Sequence, residues 1–205
     1  MALVTYWGYT LVQDEHKNTQ AIVLNERGNV LSGLLRFDEA IENYRQAVSL
    51  NHEFADAYNN LANALRQKGD LEEAISSYKK AVRHNRNHTD AYSNLGIALS
   101  EKGNNSEAIQ QYRKALELNP YLYLVHNSLA ILLSQQGDTV NAISHYQEAI
   151  ALYPAFAKAH NNIGSALAGQ GKFKEAIPFF EKAVNIDPNY TDARNNLELA
   201  RSLLK

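Results

Sequence analysis

Seven histidines are the first residues here that could do chemistry, as metal ligands or as proton carriers near neutral pH. His84 and His88 are four apart, the separation of two ligands on one helical turn, but they straddle an expected helix end and no metal site is read there. His126 and His160 are 34 apart and occupy a slot filled elsewhere by Tyr58 and Tyr92, so they read as packing residues. The stretch 164–172, GSALAGQGK, has the glycines and lysine of a phosphate loop. Its lysine does not follow Gly169, however, and the segment lies in a helical pattern rather than after a strand. Glu72 and Glu73 beside Lys79 and Lys80 fit a solvated helix face. Glycosylation sequons at Asn87, Asn104 and Asn189 fall in expected turns, without an export signal to bring them into use. The chain has no cysteine, which removes disulfides, thiolate zinc sites and a cysteine nucleophile. No grouping of nucleophile, base and oxyanion donor emerges, so the expectation is a non-enzyme with no cofactor and no metal.

The elements that carry these residues belong to an ordered chain. Of 205 residues, 45% are hydrophobic and 20% charged, which is too apolar for a disordered tail. Lysine and arginine number 20 against 22 acidic residues, leaving no cationic excess to displace counterions from a phosphate backbone; nucleic acid is not an expected partner. Residues 1–12, MALVTYWGYTLV, are apolar but lack a basic leader and a small-residue cleavage site. No apolar run approaches the ~18 residues a membrane span needs. The expectation is a cytoplasmic chain without membrane insertion.

Self-similarity organises nearly everything else. Ala40, Ala74, Ala108, Ala142 and Ala176 are spaced by 34, and so are Ala47, Ala81, Ala115, Ala149 and Ala183. Between them an aromatic ring recurs as Tyr44, Tyr78, Tyr112, Tyr146 and Phe180. Five copies fill 21–54, 55–88, 89–122, 123–156 and 157–190, with 1–20 in front as a leader of unassigned structure and 191–205 behind. Within a copy, apolar residues recur at positions 4, 7, 8 and 11 and again at 20, 21, 24, 27 and 28, which is helical spacing twice over. Gly69, Gly103, Gly137 and Gly171, at position 15, stand where a tight helix–helix turn wants positive φ. Pro120, Pro154 and Pro188, at position 32, stop the second helix. The first copy departs from the pattern, with Arg27 in a leucine slot and Leu35 in the turn-glycine slot. Pro178, near the first turn of a second helix, is expected to cause a mild kink.

These residues resemble the tetratricopeptide repeat (TPR), whose 34-residue period is the general worked example of such arrays. Tyr58, Leu61, Ala62, Leu65, Gly69, Ala74, Tyr78 and Ala81 carry the match in the second copy, and Tyr92, Leu95, Gly96, Leu99, Ala108, Tyr112, Ala115 and Pro120 in the third. The resemblance implies an all-α solenoid of helical hairpins, wound as a right-handed superhelix, whose first helices line a concave groove. The tail is expected to form a capping helix, with Arg194, Glu198 and Arg201 outward and a stripe of Ala193, Leu197, Ala200 and Leu204 inward.

One face stands out within this frame. A helical wheel turns first-helix positions 5, 6 and 9 away from the apolar stripe, and 11 of the 18 such slots hold asparagine. Asparagine is a poorer helix former than the usual surface residues by a few tenths of a kcal/mol, so something should offset its use. A carboxamide both donates and accepts and can clasp peptide backbone; alternatively, the amides bond between neighbouring copies. The candidate peptide-binding residues are Asn59, Asn60, Asn63, Arg66, Asn94, Asn127, Ser128, Lys158, Asn161, Asn162 and Asn196. The series Asn60, Asn94, Asn162 and Asn196, interrupted by Ser128, resembles the asparagine ladder in the TPR region of O-linked N-acetylglucosamine transferase, which implies a hold on peptide backbone. The lysine and arginine clamp of chaperone-binding TPR domains has no counterpart, since position 5 is Asn25, Asn59, Ser93, Asn127 or Asn161 and Lys158 is the only basic residue at position 2. Arg66, Glu101 and Lys158 read as isolated groove charges.

The expected function is a scaffold or adaptor that binds a peptide segment of a partner protein. Two alternatives remain open: a substrate-recognition subunit for a catalytic domain on another chain, and self-assembly through the N-terminal end, where Tyr6, Trp7 and Tyr9 could join the contact.

Overall fold

The computed structural model describes residues 2–204, with side chains from Glu15 onward. Among these residues the chain is helical throughout and has no strand. It divides into two compact units, 1–104 and 105–205. The first holds α1 (Ala2–Gly33), α2 (Phe37–Leu50), α3 (Ala55–Lys68), α4 (Leu71–His84) and α5 (Thr89–Glu101). The second holds α6 (Asn105–Leu118), α7 (Tyr123–Gln135), α8 (Thr139–Leu152), α9 (Ala157–Gly169), α10 (Phe173–Ile186) and α11 (Thr191–Ser202).

In the first unit α1 pairs with α2 and α3 with α4, and α5 stacks on the second hairpin. Residues before position 21 continue α1 back to Ala2. The side chains of Tyr6, Trp7 and Tyr9 lie outside the described residues. In the second unit α7 pairs with α8 and α9 with α10, flanked by α6 and α11. Helix α10 runs through Pro178 without a break.

The same turn closes the first helix of every copy. The backbone N–H at position 16 donates to the carbonyl at position 11: Arg36 to Leu31, Asp70 to Leu65, Asn104 to Leu99, Asp138 to Leu133 and Lys172 to Leu167, at 2.8–3.1 Å. This bond requires a left-handed residue at position 15. Gly69, Gly103, Gly137 and Gly171 supply it with φ of 75–89°, and Leu35 adopts it as well, at φ 59°, with its side chain in solvent. The first copy therefore makes the expected turn without the expected residue.

The connection to the next hairpin has a device beyond proline. Asn51, Asn85, Asn119 and Asp187, at position 31, each accept on the side-chain oxygen the N–H two residues on, at 2.9–3.0 Å. This local turn competes with further helix and ends the element.

Both periodic alanines are fully buried in all five copies, and within each unit the paired helices approach closely. The position-24 rings Tyr44, Tyr78, Tyr112, Tyr146 and Phe180 are buried beside them. Tyr44 and Tyr78 donate across their hairpins to the Oδ1 atoms of Asn29 and Asn63, at 2.9 and 2.5 Å. Burial pushes the Tyr44, Tyr78 and Tyr146 phenols up to about 12, so these rings stay neutral at ordinary pH. The capping helix buries Ala193, Leu197 and Ala200 as expected and exposes Arg194, Glu198 and Arg201. Leu204 departs from the expected stripe: α11 ends at Ser202 and leaves Leu204 half-exposed.

Candidate peptide-binding face

The first helices of each unit lie side by side, so asparagines in successive copies come within reach. Position 6 of one copy donates to position 5 of the copy before it. In the first unit Asn60 Nδ2 reaches Asn25 Oδ1 at 3.1 Å and Asn29 Oδ1 at 3.0 Å, and Asn94 Nδ2 reaches Asn59 Oδ1 at 3.1 Å. In the second unit Asn162 Nδ2 reaches Asn127 Oδ1 at 3.2 Å, and Asn196 Nδ2 reaches Asn161 Oδ1 at 3.0 Å. The amides thus form staples between neighbouring first helices.

This corrects the wheel-based expectation that position 5 faces solvent. Asn25, Asn59, Asn127 and Asn161 are buried, because the next first helix lies over them. Their oxygens accept the staple bonds, and Asn161 Nδ2 also donates to Tyr190 Oη at 3.4 Å. Asn63 spends its oxygen on Tyr78. Asn60, Asn94, Asn162 and Asn196 remain half-exposed, as does Ser128. The carbonyl oxygens of Asn94, Asn162 and Asn196 have no hydrogen-bond partner among the described residues. Asn60 Oδ1 meets only Asn59 Nδ2, at 3.5 Å.

Arg66 and Glu101 are not isolated charges, since Arg66 Nη1 pairs with Glu101 Oε1 at 2.8 Å. Lys158 is exposed. In the second unit the small residues Ser165 and Ala168 leave a notch of about 160 Å³. Phe173, Phe180, Leu199 and Ala200 line it, and Asn196 stands at its edge. In the second copy the matching positions carry Asn63 and Arg66.

Five of the seven histidines have partners within the fold. His126 and His160 are buried, and each donates from Nε2 to the carbonyl of the proline six residues earlier, Pro120 at 3.0 Å and Pro154 at 3.1 Å. His126 Nδ1 also meets His145 Nδ1 at 3.0 Å. Burial first, then the charges of His126 and Arg113, hold His145 below its ordinary value, against weaker opposition from Glu148 and Asp138. His84 stacks on Tyr58 with ring centroids 5.7 Å apart. His88 accepts the Ala91 N–H at the start of α5.

Two families of signal converge on this architecture. Tetratricopeptide-repeat family patterns match residues 19–87, 53–120 and 157–190, and a TPR-repeat pattern matches 132–171. The chain belongs to the tetratricopeptide-repeat family and has the fold of a protein-interaction scaffold. No curated protein matches its sequence. Among solved structures, it is similar to YrrB, described as a TPR protein with an unusual peptide-binding site. The TM-score is 0.78 at 25% identity, over 91% of this chain and 96% of YrrB. It is also similar to MamA, with a TM-score of 0.77 at 25% identity over 84% of this chain and 94% of that one. MamA from Desulfovibrio magneticus RS-1, at 17% identity and TM-score 0.77 over 83% of this chain and 97% of that one, shares the fold. No helix among the described residues is long and apolar enough to cross a membrane.

Proposed function

We propose that this chain is a non-catalytic adaptor that holds an extended peptide segment of a partner protein along its first-helix face. The observation that carries this reading is the division of labour among the asparagines. Asn25, Asn59, Asn127 and Asn161 at position 5 are buried and spent on the scaffold, while the position-6 asparagines give an N–H to the staple and keep a half-exposed carbonyl oxygen. A carboxamide with one end fixed is a preorganised partner for peptide N–H groups, because its rotamer entropy is already lost. The notch beside Asn196 suits one apolar side chain of such a segment. The likeness to YrrB, whose own peptide-binding site is on record, supports the same class of ligand.

The test is selection of binders from a random peptide library on the full chain, followed by comparison with the Asn60→Ala, Asn94→Ala, Asn162→Ala triple variant. Backbone recognition predicts selected peptides that share an apolar anchor and little else. The triple variant should lose about tenfold or more in affinity, equivalent to ~1.4 kcal/mol, while remaining helical. With few free charges on this face, affinity should hardly change with ionic strength. Undiminished binding by the triple variant, or a steep fall with salt, contradicts the reading.

A further inference from the structure

At the N-terminal end of the first unit, a stacking face is left uncovered by the described residues. In the later copies positions 3, 7 and 10 of the first helix are covered by the preceding hairpin: Ala57, Leu61 and Ala64 in the second copy are buried, as are Ala91, Leu95 and Ala98 in the third. The same positions in α1 are Val23, Arg27 and Val30. Val23 is 61% exposed and Val30 64%, and Leu34 on the same stripe is 62% exposed. No described side chain covers them. An apolar stripe of this kind, in slots that the second, third and fourth copies bury, is an interface without its partner.

The charges on the stripe say what fits. Arg27 sits between the two valines, with only a weak influence on Glu39 of α2, so an occupant that dries this face is best matched by an acid at its centre. Adjacent Glu26 is exposed and bonded only weakly within its own helix, by Asn29 Nδ2 at 3.4 Å. We propose that the occupant is a second copy of this chain, with α1 packed antiparallel on α1 about a two-fold axis between residues 26 and 27. That axis sets Val23 against the second copy's Val30, and Glu26 against its Arg27, each contact occurring twice. The face is complementary to itself in apolar surface and in charge, and its use leaves the position-6 asparagines of the later first helices free for peptide.

The experiment is sedimentation equilibrium of the full chain from ~1 µM to ~1 mM, a range that brackets weak and moderate self-affinity. Circular dichroism checks helicity of each variant. The expected result is a mass rising from one chain to two. Val23→Glu with Val30→Glu should abolish the rise. Glu26→Arg alone and Arg27→Glu alone should each weaken dimerisation by about tenfold, because each sets like charges face to face. The double exchange, Glu26→Arg with Arg27→Glu, should restore it. A wild-type chain that stays monomeric, or assembles beyond two, overturns the proposal. So does a dimer indifferent to the valine changes, or one that the double exchange fails to rescue.

Discussion

Replacing Asn60 with alanine separates the staple from mere surface habit. Asn60 Nδ2 lies 3.1 Å from Asn25 Oδ1 and 3.0 Å from Asn29 Oδ1, and Asn25 is only 4% exposed. A hydrogen bond of this kind is worth about 1 kcal/mol net, and a buried acceptor left unpaired costs about 1–3 kcal/mol. Alanine returns roughly 0.5 kcal/mol through helix propensity. Taking the unpaired acceptor as the cost and setting the propensity gain against it leaves a destabilisation of about 0.5–2.5 kcal/mol. Asn94→Ala breaks one staple, to Asn59, and should cost less. Asn195→Ala, on the exposed side of α11, should gain the propensity term of roughly 0.5 kcal/mol. Urea unfolding followed by circular dichroism reads these differences. Hydrogen exchange on α1 and α3 assigns them locally, since a repeat array need not unfold in one step. If Asn60→Ala stabilises the chain as much as Asn195→Ala does, the amides are not staples.

Other perturbations address single features. Leu35→Gly relieves a left-handed residue whose side chain touches little, and should raise stability by about 0.5–1 kcal/mol, visible as a higher Tm; a lower Tm would deny the strain. Gly164→Ala places a Cβ 2.6 Å from the Phe180 ring and should cost about 1–2 kcal/mol despite its helix preference, also as a Tm change, now downward. Because the folded chain holds His145 below its ordinary 6.5, the unfolded chain takes up a proton first as pH falls. Stability should therefore decline through and below about pH 6.5, and His145→Gln should flatten that part of a Tm-against-pH profile.

The hairpins were legible because position 15 needs a left-handed residue and positions 20 and 27 need small ones, and both demands are local. Leu35 shows the converse: the turn formed where its preferred residue was missing, because the bond from Arg36 to Leu31 and the packing of α1 on α2 impose the conformation. The asparagine face was only half legible. A single-helix wheel puts positions 5 and 6 together on the outside, but the neighbouring first helix covers Asn59, Asn127 and Asn161 and spares Asn60, Asn94 and Asn162. Which of two adjacent positions is covered depends on how the hairpins stack, and a wheel contains no neighbour. Arg66 looked free for the same reason, its partner Glu101 being 35 residues away. The position-31 residues carried a readable signal, an Asx residue two before a turn N–H, that the prolines after Asn119 and Asp187 overshadowed.

The most direct measurement is a titration of ¹⁵N-labelled chain with a selected peptide, following the asparagine side-chain NH₂ resonances. The peptide-clasp account predicts that the Asn60, Asn94, Asn162 and Asn196 signals move, while those of buried Asn59, Asn127 and Asn161 stay protected from solvent exchange and nearly still. Position-6 signals that remain fixed while resonances on the second helices shift would place the partner elsewhere and contradict it.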